Sequence, residues 1–221
     1  MDVHPDAAVF PCRRCGLAFE PVGDALNRVE PRTAATTTEL ALPSTPRYLA
    51  FWRFLAAVEV TAKHSAGGAP PGAVWEQIRR VAAPEPAFLY VPAFTLVRVT
   101  VQQLGLSVVQ VQPRLDLEPG LPPEKPSGPR LVGAGEQDTR EADPGFGTLS
   151  PVLLGRADAE TVAHFVYLAL EARSTPELRS IDYDLALTGA ELVYLPAVYD
   201  PRHLRDSNWR LLLREFDGLV A

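Results

Sequence analysis

Ile181-Asp182-Tyr183-Asp184-Leu185-Ala186-Leu187, then Thr188-Gly189-Ala190, then Glu191-Leu192-Val193-Tyr194-Leu195-Pro196, is the stretch that decides the fold. An extended chain puts Ile181, Tyr183, Leu185 and Leu187 on one side and Asp182 and Asp184 on the other, the period-two pattern of a half-buried strand. Glycine flanked by threonine and alanine is a turn signal, and the apolar run after it reads as a returning strand. The stretch predicts a β-hairpin, and with it a sheet of mostly antiparallel neighbours.

Partners for that hairpin lie upstream. Tyr48 to Thr61 is rich in aromatic and β-branched residues and predicts a long strand buried on at least one face. Helix competes over Phe51 to Val60, because Ala56-Ala57 suits either state. Phe88 to Val91 and Ser107 to Val111 read as further strands. Asn208 to Phe216 reads as a closing strand, with a short helix competing over Trp209 to Leu213. Three helices flank them. Ala73 to Ala82 carries Val74, Ile78 and Val81 at helical spacing and stops before Pro84 and Pro86. Thr95 to Leu104 ends at Gly105, read as its C-cap. Asp158 caps a helix from Ala159 to about Ala172, with Glu160 where the helix dipole favours an acid and Val162, Phe165, Val166 and Ala169 as the apolar face. The fold class expected is α+β: an N-terminal knuckle, then an antiparallel-dominated sheet with flanking helices.

Three regions are expected along the chain. Residues 1–23 form a knuckle-like module, 24–45 a polar connector with Pro31, Pro43 and Thr36-Thr37-Thr38, and 46–221 the α+β domain. Within that domain, 114–147 concentrates Pro, Gly and acids with few apolar residues, so burial cannot offset the entropy of ordering it, and a disordered loop is expected.

Composition excludes several classes. Hydrophobic residues at 47 % and charged residues at 22 % are those of a folded globular chain. The net charge of −6 repels polyanions, and Arg13-Arg14 and Arg79-Arg80 are pairs rather than patches, so no nucleic-acid partner is expected. The longest apolar stretches are short and broken by Arg53, Glu59 and Arg98, so no membrane span is expected. Met1 to Asp6 lacks the features of a secretory signal. With two closely spaced cysteines and no disulfide framework, the expected setting is cytoplasmic and reducing.

Phe10-Pro11-Cys12-Arg13-Arg14-Cys15-Gly16 carries the chemistry. Two thiolates two residues apart reach one tetrahedral metal, and Gly16 permits the positive φ that aims backbone N–H groups at sulfur. Cys12 and Cys15 are the candidate zinc ligands. His4 is near in sequence but adds only a third ligand, while His64, His164 and His203 carry no motif. Four states stay open for the pair: a metal-free relic, a ribbon whose other pair lies upstream of Met1, one zinc shared with the same pair of a second chain, and a redox dithiol. The first two together outrank the third. The dithiol ranks last, because a strand-like stretch and not a helix follows Cys15.

No nucleophile elbow, phosphate loop or His-Glu-x-x-His motif is present. Asp182 and Asp184 share a strand face, where a solvated exterior is the simpler reading than paired catalytic carboxylates. Tyr48-Leu49-Ala50-Phe51, Tyr90-Val91-Pro92-Ala93 and Tyr194-Leu195-Pro196-Ala197 echo one another. They read either as similar strand ends in one sheet or as a duplicated unit whose aromatics line a groove. On the second reading Trp52, Tyr90 and Tyr194 are the candidate partner-binding residues.

The knuckle, followed by Tyr48-Leu49-Ala50-Phe51-Trp52-Arg53-Phe54, Tyr90-Val91-Pro92-Ala93-Phe94 and Pro151-Val152-Leu153-Leu154 ahead of a helix, resembles a loose group of bacterial zinc-ribbon proteins. That resemblance implies a structural zinc site on Cys12 and Cys15 and a β-rich domain, and no activity. One cysteine pair of the ribbon is missing, and Ala50 stands where the pattern has proline. The function expected is a non-enzymatic protein-binding or assembly component with a protein partner or self-association. The alternative is a small-ligand-binding or hydrolytic enzyme with a site assembled from dispersed residues.

Overall fold

A computed structural model describes residues 4–35, 46–123, 149–199 and 209–217. Strands β1 (Phe10–Cys12), β2 (Leu17–Val22) and β3 (Ala25–Val29) form a small antiparallel meander. The main sheet uses β4 (Arg32–Ala34), β5 (Arg47–Ser65), β6 (Phe88–Pro92), β7 (Leu117–Pro119), β8 (Leu178–Tyr199) and β9 (Trp209–Leu211). Its order is β6-β5-β8-β4-β7, with β9 also paired to β8. Among these pairs β4 runs parallel to β8 and the others are antiparallel, so the fold is α+β with an antiparallel-dominated sheet. Helices α1 (Ala73–Ala82), α2 (Arg98–Val111), α3 (Arg156–Ser174) and the short α4 (Arg214–Asp217) complete it.

The expected hairpin is a single strand. β8 runs unbroken through Thr188-Gly189-Ala190 and pairs along its length with β5, from Arg47↔Ala197 to Ser65↔Leu178. Between the pairs Arg53↔Glu191 and Leu55↔Thr188, Phe54 alone lies opposite Gly189 and Ala190. This is a β-bulge, and Gly189, at φ 58°, supplies its left-handed residue. A glycine in a strand pattern signals a turn or a bulge, and the partner decides. A turn here would strip the far half of β5 of its ladder, whereas the bulge disturbs the pairing locally. The extra residue also shifts the phase: Ala56 and Val58 pair with Leu187 and Leu185, but Trp52 and Ala50 pair with Leu192 and Tyr194.

The bulge separates two environments. Beyond it, Leu178–Leu187 and Leu55–Ser65 alternate between covered and exposed residues; before it, Tyr48–Trp52 and Leu192–Val198 are buried throughout. Strands covered on both faces read as continuous apolar runs, and these segments do. Trp52, Phe54, Leu49, Leu192 and Leu195 are at the centre of the core.

The helices depart from expectation in instructive ways. α1 matches residue for residue, with Trp75 rather than Val81 completing its buried face. α2 begins at Arg98 and continues through Gly105 and the β-branched stretch expected as a strand at Ser107–Val111. A Cβ on Gly105 would sit 3.1 Å from the Tyr90 carbonyl oxygen and 3.3 Å from Val166 Cγ2, so this glycine serves close approach of α2 to β6 and α3, not capping. Packing of Leu104, Leu106, Val108 and Val109 overrides strand propensity. α3 starts at Arg156, not after Asp158, and its cap is supplied from a distance: Glu20 Oε1 on β2 accepts the Arg156 N–H at 2.6 Å. Its buried face is Ala159, Ala163, Val166, Tyr167 and Leu170, while Phe165 is exposed.

Gln112, just past α2 at φ 48°, closes the edge of the sheet. Its amide accepts the Phe88 N–H at 2.9 Å and donates to the Phe88 and Val109 carbonyls at 2.7 Å each, standing in for a neighbouring strand. Gln112→Ala leaves these buried groups unpaired. The expected cost is about 2–3 kcal/mol by urea denaturation, with amide exchange accelerated at Phe88 before the rest of β6.

Two regional expectations change. The 24–45 connector contains β3 and β4, because both find strand partners; residues 36–45 lie outside the described residues. The start of the 114–147 segment is ordered by β7, which pairs with β4, while 124–147 lie outside the described residues. The closing strand expected at 208–216 is β9 for Trp209–Leu211, followed by α4.

Candidate functional site

The knuckle is the turn between β1 and β2. The pairs Phe10↔Phe19, Pro11↔Ala18 and Cys12↔Leu17 bring the strands together, and the Gly16 and Cys15 N–H groups donate to the Cys12 carbonyl at 2.9 and 3.3 Å. Gly16 takes φ 73°, as its position in the motif requires. Cys12 is half-buried and Cys15 exposed, both as free thiols. Hydrogen bonds from the Cys15 backbone, the Cys15 thiol and the Arg14 backbone favour the Cys12 thiolate and lower its pKa. The meander is anchored beneath: Ala8 and Val9 N–H groups donate to the Val152 carbonyl, Arg13 donates to the Pro122 carbonyl, and Glu20 caps α3. The turn that carries the two thiols thus rests on a fixed base.

A structural zinc takes four ligands. The knuckle supplies two, and among the described residues no group of three or more His, Cys, Asp or Glu is placed to hold a metal. A zinc closed by one chain therefore does not fit the described donor set. His203 lies outside the described residues. His164 is exposed on α3, its Nδ1 3.1 Å from the Tyr183 hydroxyl.

The candidate partner-binding aromatics are corrected by their burial. Trp52, Tyr90 and Tyr194 are each 2 % exposed or less, since they lie in strand segments covered on both faces. Trp52 donates its indole N–H to the Leu154 carbonyl at 2.8 Å. The Tyr194 hydroxyl has no hydrogen-bond partner among the described residues, and burial raises its pKa. Trp52 and Tyr194 offer no face to a partner, and Tyr90 borders solvent only as part of a cleft lining. Asp182 and Asp184 are exposed, as the alternation of their strand predicts.

Sequence reading missed a cleft of about 440 Å³ under the segment that crosses from Gln112 to Leu117. Its floor is a polar row across the sheet, with Tyr90 on β6 paired to Arg53 on β5, and Arg53 paired to Glu191 on β8. Arg53 donates through Nε at 2.9 Å and through Nη2 to Glu191 Oε2, and its guanidinium lies 4.3 Å from the Phe88 ring centroid. Arg32 on β4 reaches the same carboxylate at 3.8 Å. Burial raises the Tyr90 pKa, against the opposing charge of Arg53. The available signal was Arg53 itself, a cation inside an apolar strand, which demands a counterion.

A second polar cluster is sealed. Lys63 Nζ donates to Glu171 Oε2 at 2.9 Å and to the Ala69 carbonyl at 3.0 Å, and the Tyr167 hydroxyl donates to Glu171 Oε1 at 3.0 Å. With side-chain exposures of 2 % for Lys63 and 0 % for Glu171, no substrate reaches the pair.

No helix among the described residues is long and apolar enough to cross a membrane. In comparisons with known proteins, no family model, no curated protein and no solved structure matches this chain.

Proposed function

We propose that the protein is a non-enzymatic binding and assembly component of the cytoplasm, and that its knuckle joins two copies through one shared zinc ion. The observation that carries this reading is the Cys12–Cys15 pair, half-buried and exposed on an anchored turn, which offers two of the four thiolates of a tetrahedral site. Two copies meeting knuckle to knuckle supply four thiolates. The hydrogen bonds that acidify Cys12 reduce the proton cost of metal binding. The ribbon-like meander, the self-association expected from sequence and a reducing cytoplasmic setting that keeps the thiols free all agree with it.

Cobalt(II) titration tests the site, because cobalt in a four-thiolate site shows strong visible and near-ultraviolet bands. The expected result is saturation at one cobalt per two chains, with the bands lost in Cys12→Ser. Saturation at one per chain with no change in mass, or no thiolate–cobalt band, contradicts the reading. The cleft favours a second reading, small-ligand binding, which is independent of the knuckle.

A further inference from the structure

We propose that the cleft between the polar row of the sheet and the Gln112–Leu117 crossing binds a small amphipathic organic carboxylate. This inference rests on the small-ligand reading and not on the shared zinc. The volume of about 440 Å³ falls within the range of small-molecule sites, about 300–1,000 Å³. Its lining is of two kinds. Phe88, Leu115, Leu117 and two prolines give apolar walls, and Arg32, Arg53 and Arg114 give guanidinium donors.

The donors are incompletely used. Arg53 directs Nε and Nη2 to Glu191 and also hydrogen-bonds the Tyr90 hydroxyl, so Arg32 and Arg114 are the less engaged donors. Arg32 makes only the 3.8 Å contact to the same carboxylate, and the Arg114 guanidinium has no ion partner among the described residues. Of the acids nearby, Glu191 is committed to Arg53 and Glu215 accepts the Arg114 backbone N–H at 3.2 Å, so Glu85 is the remaining acid of the lining. Guanidinium forks match carboxylates in plane and spacing. Phe88 fixes the plane of Arg53 and Glu191 fixes its rotation, so this donor is oriented before any ligand arrives. Arg32, Arg53 and Arg114 stand against Glu85, Glu191 and Glu215, so the cleft is locally close to neutral within a chain of net charge −6. A ligand with a carboxylate head and a flat apolar body meets both kinds of wall; a bare oxyanion leaves the apolar wall wet, and a neutral apolar molecule leaves the guanidiniums unpaired.

Isothermal titration of the full chain with naphthalene-2-carboxylate tests this, against its neutral isostere naphthalene-2-methanol and inorganic phosphate. The expected result is saturable binding of the carboxylate, at least roughly tenfold tighter than either control. Arg114→Gln and Arg32→Gln, at exposed positions, each weaken it by about tenfold at unchanged Tm. Amide shifts at Leu115 and Leu117 report the location in the unaltered protein, so the test does not depend on any variant folding. Equal binding of acid and alcohol, tighter binding of phosphate, no binding up to millimolar concentration, or shifts that avoid Leu115 and Leu117 each overturn the proposal. None of these outcomes bears on the knuckle, whose cobalt titration stands or fails separately.

Discussion

Lys63→Met destabilises the protein by about 3–5 kcal/mol. The substitution keeps the aliphatic stem and removes the charge that faces Glu171. The Glu171 carboxylate, fully buried, then retains the Tyr167 hydroxyl as its remaining side-chain donor. Burial, and after it the Glu171 charge, push the Tyr167 pKa up, so the phenol stays protonated and cannot relieve the acid by giving up its proton. The ammonium also holds the Ala69 carbonyl, so its loss frees the loop that leads from β5 into α1. The double variant Lys63→Met/Glu171→Met separates the pair from its surroundings. With both charges gone the desolvation penalty disappears, and the double variant is expected to lose less stability than either single one. Urea denaturation of the four proteins gives the coupling. Single variants within about 1 kcal/mol of the parent, the range of an exposed pair, contradict the sealed geometry.

Trp52→Ala carries a comparable cost, about 3–5 kcal/mol. The ring is 2 % exposed and stacks near Phe54 with centroids 6.4 Å apart, at the point where β5 is covered on both faces. Truncation empties a core volume that the two long strands cannot close without breaking their shared register. It also orphans the Leu154 carbonyl, which accepts the indole N–H in the segment leading into α3. Trp52→Phe keeps most of the volume and loses the hydrogen bond, so it is expected to fall between, at about 1–3 kcal/mol. Thermal and urea melts check both. A partner-binding tryptophan behaves in the opposite way, with association lost and stability within about 0.5 kcal/mol of the parent; that pattern contradicts the buried position.

How far the sequence could be read follows from which interactions are local. β5 and α1 were legible because their signals, a β-branched aromatic run and apolar residues at helical spacing, lie within the elements themselves. The turn read at Gly189 and the cap read at Gly105 failed for a common reason. Each glycine has a local signature shared by two structures, and the choice is made by a distant partner: Leu55 across the bulge for Gly189, and the Tyr90 carbonyl and Val166 for Gly105. The same holds for polar residues. Arg53 and Glu191 are 138 residues apart, and Lys63 and Glu171 are 108 apart, so neither pair forms a motif that spacing reveals. Of the four, Arg53 alone stood out singly, as a cation inside an apolar strand. The knuckle was legible as a turn, since its geometry depends on Cys12, Cys15 and Gly16 alone. A metal at the knuckle was not, because a tetrahedral site would need two further ligands from elsewhere. The echo around Trp52, Tyr90 and Tyr194 was read either as similar strand ends or as a duplicated unit lining a groove, and their burial favours the first, because β5, β6 and β8 are covered on both faces there.

Native mass spectrometry of the purified 221-residue chain, with zinc present and after chelation, bears most directly on assembly through the knuckle. The expected result is a dimer carrying one zinc ion that separates into metal-free monomers when the chelator is added, and that does not form in Cys12→Ser. A monomer with no zinc, or a monomer that holds its own zinc, contradicts the shared site.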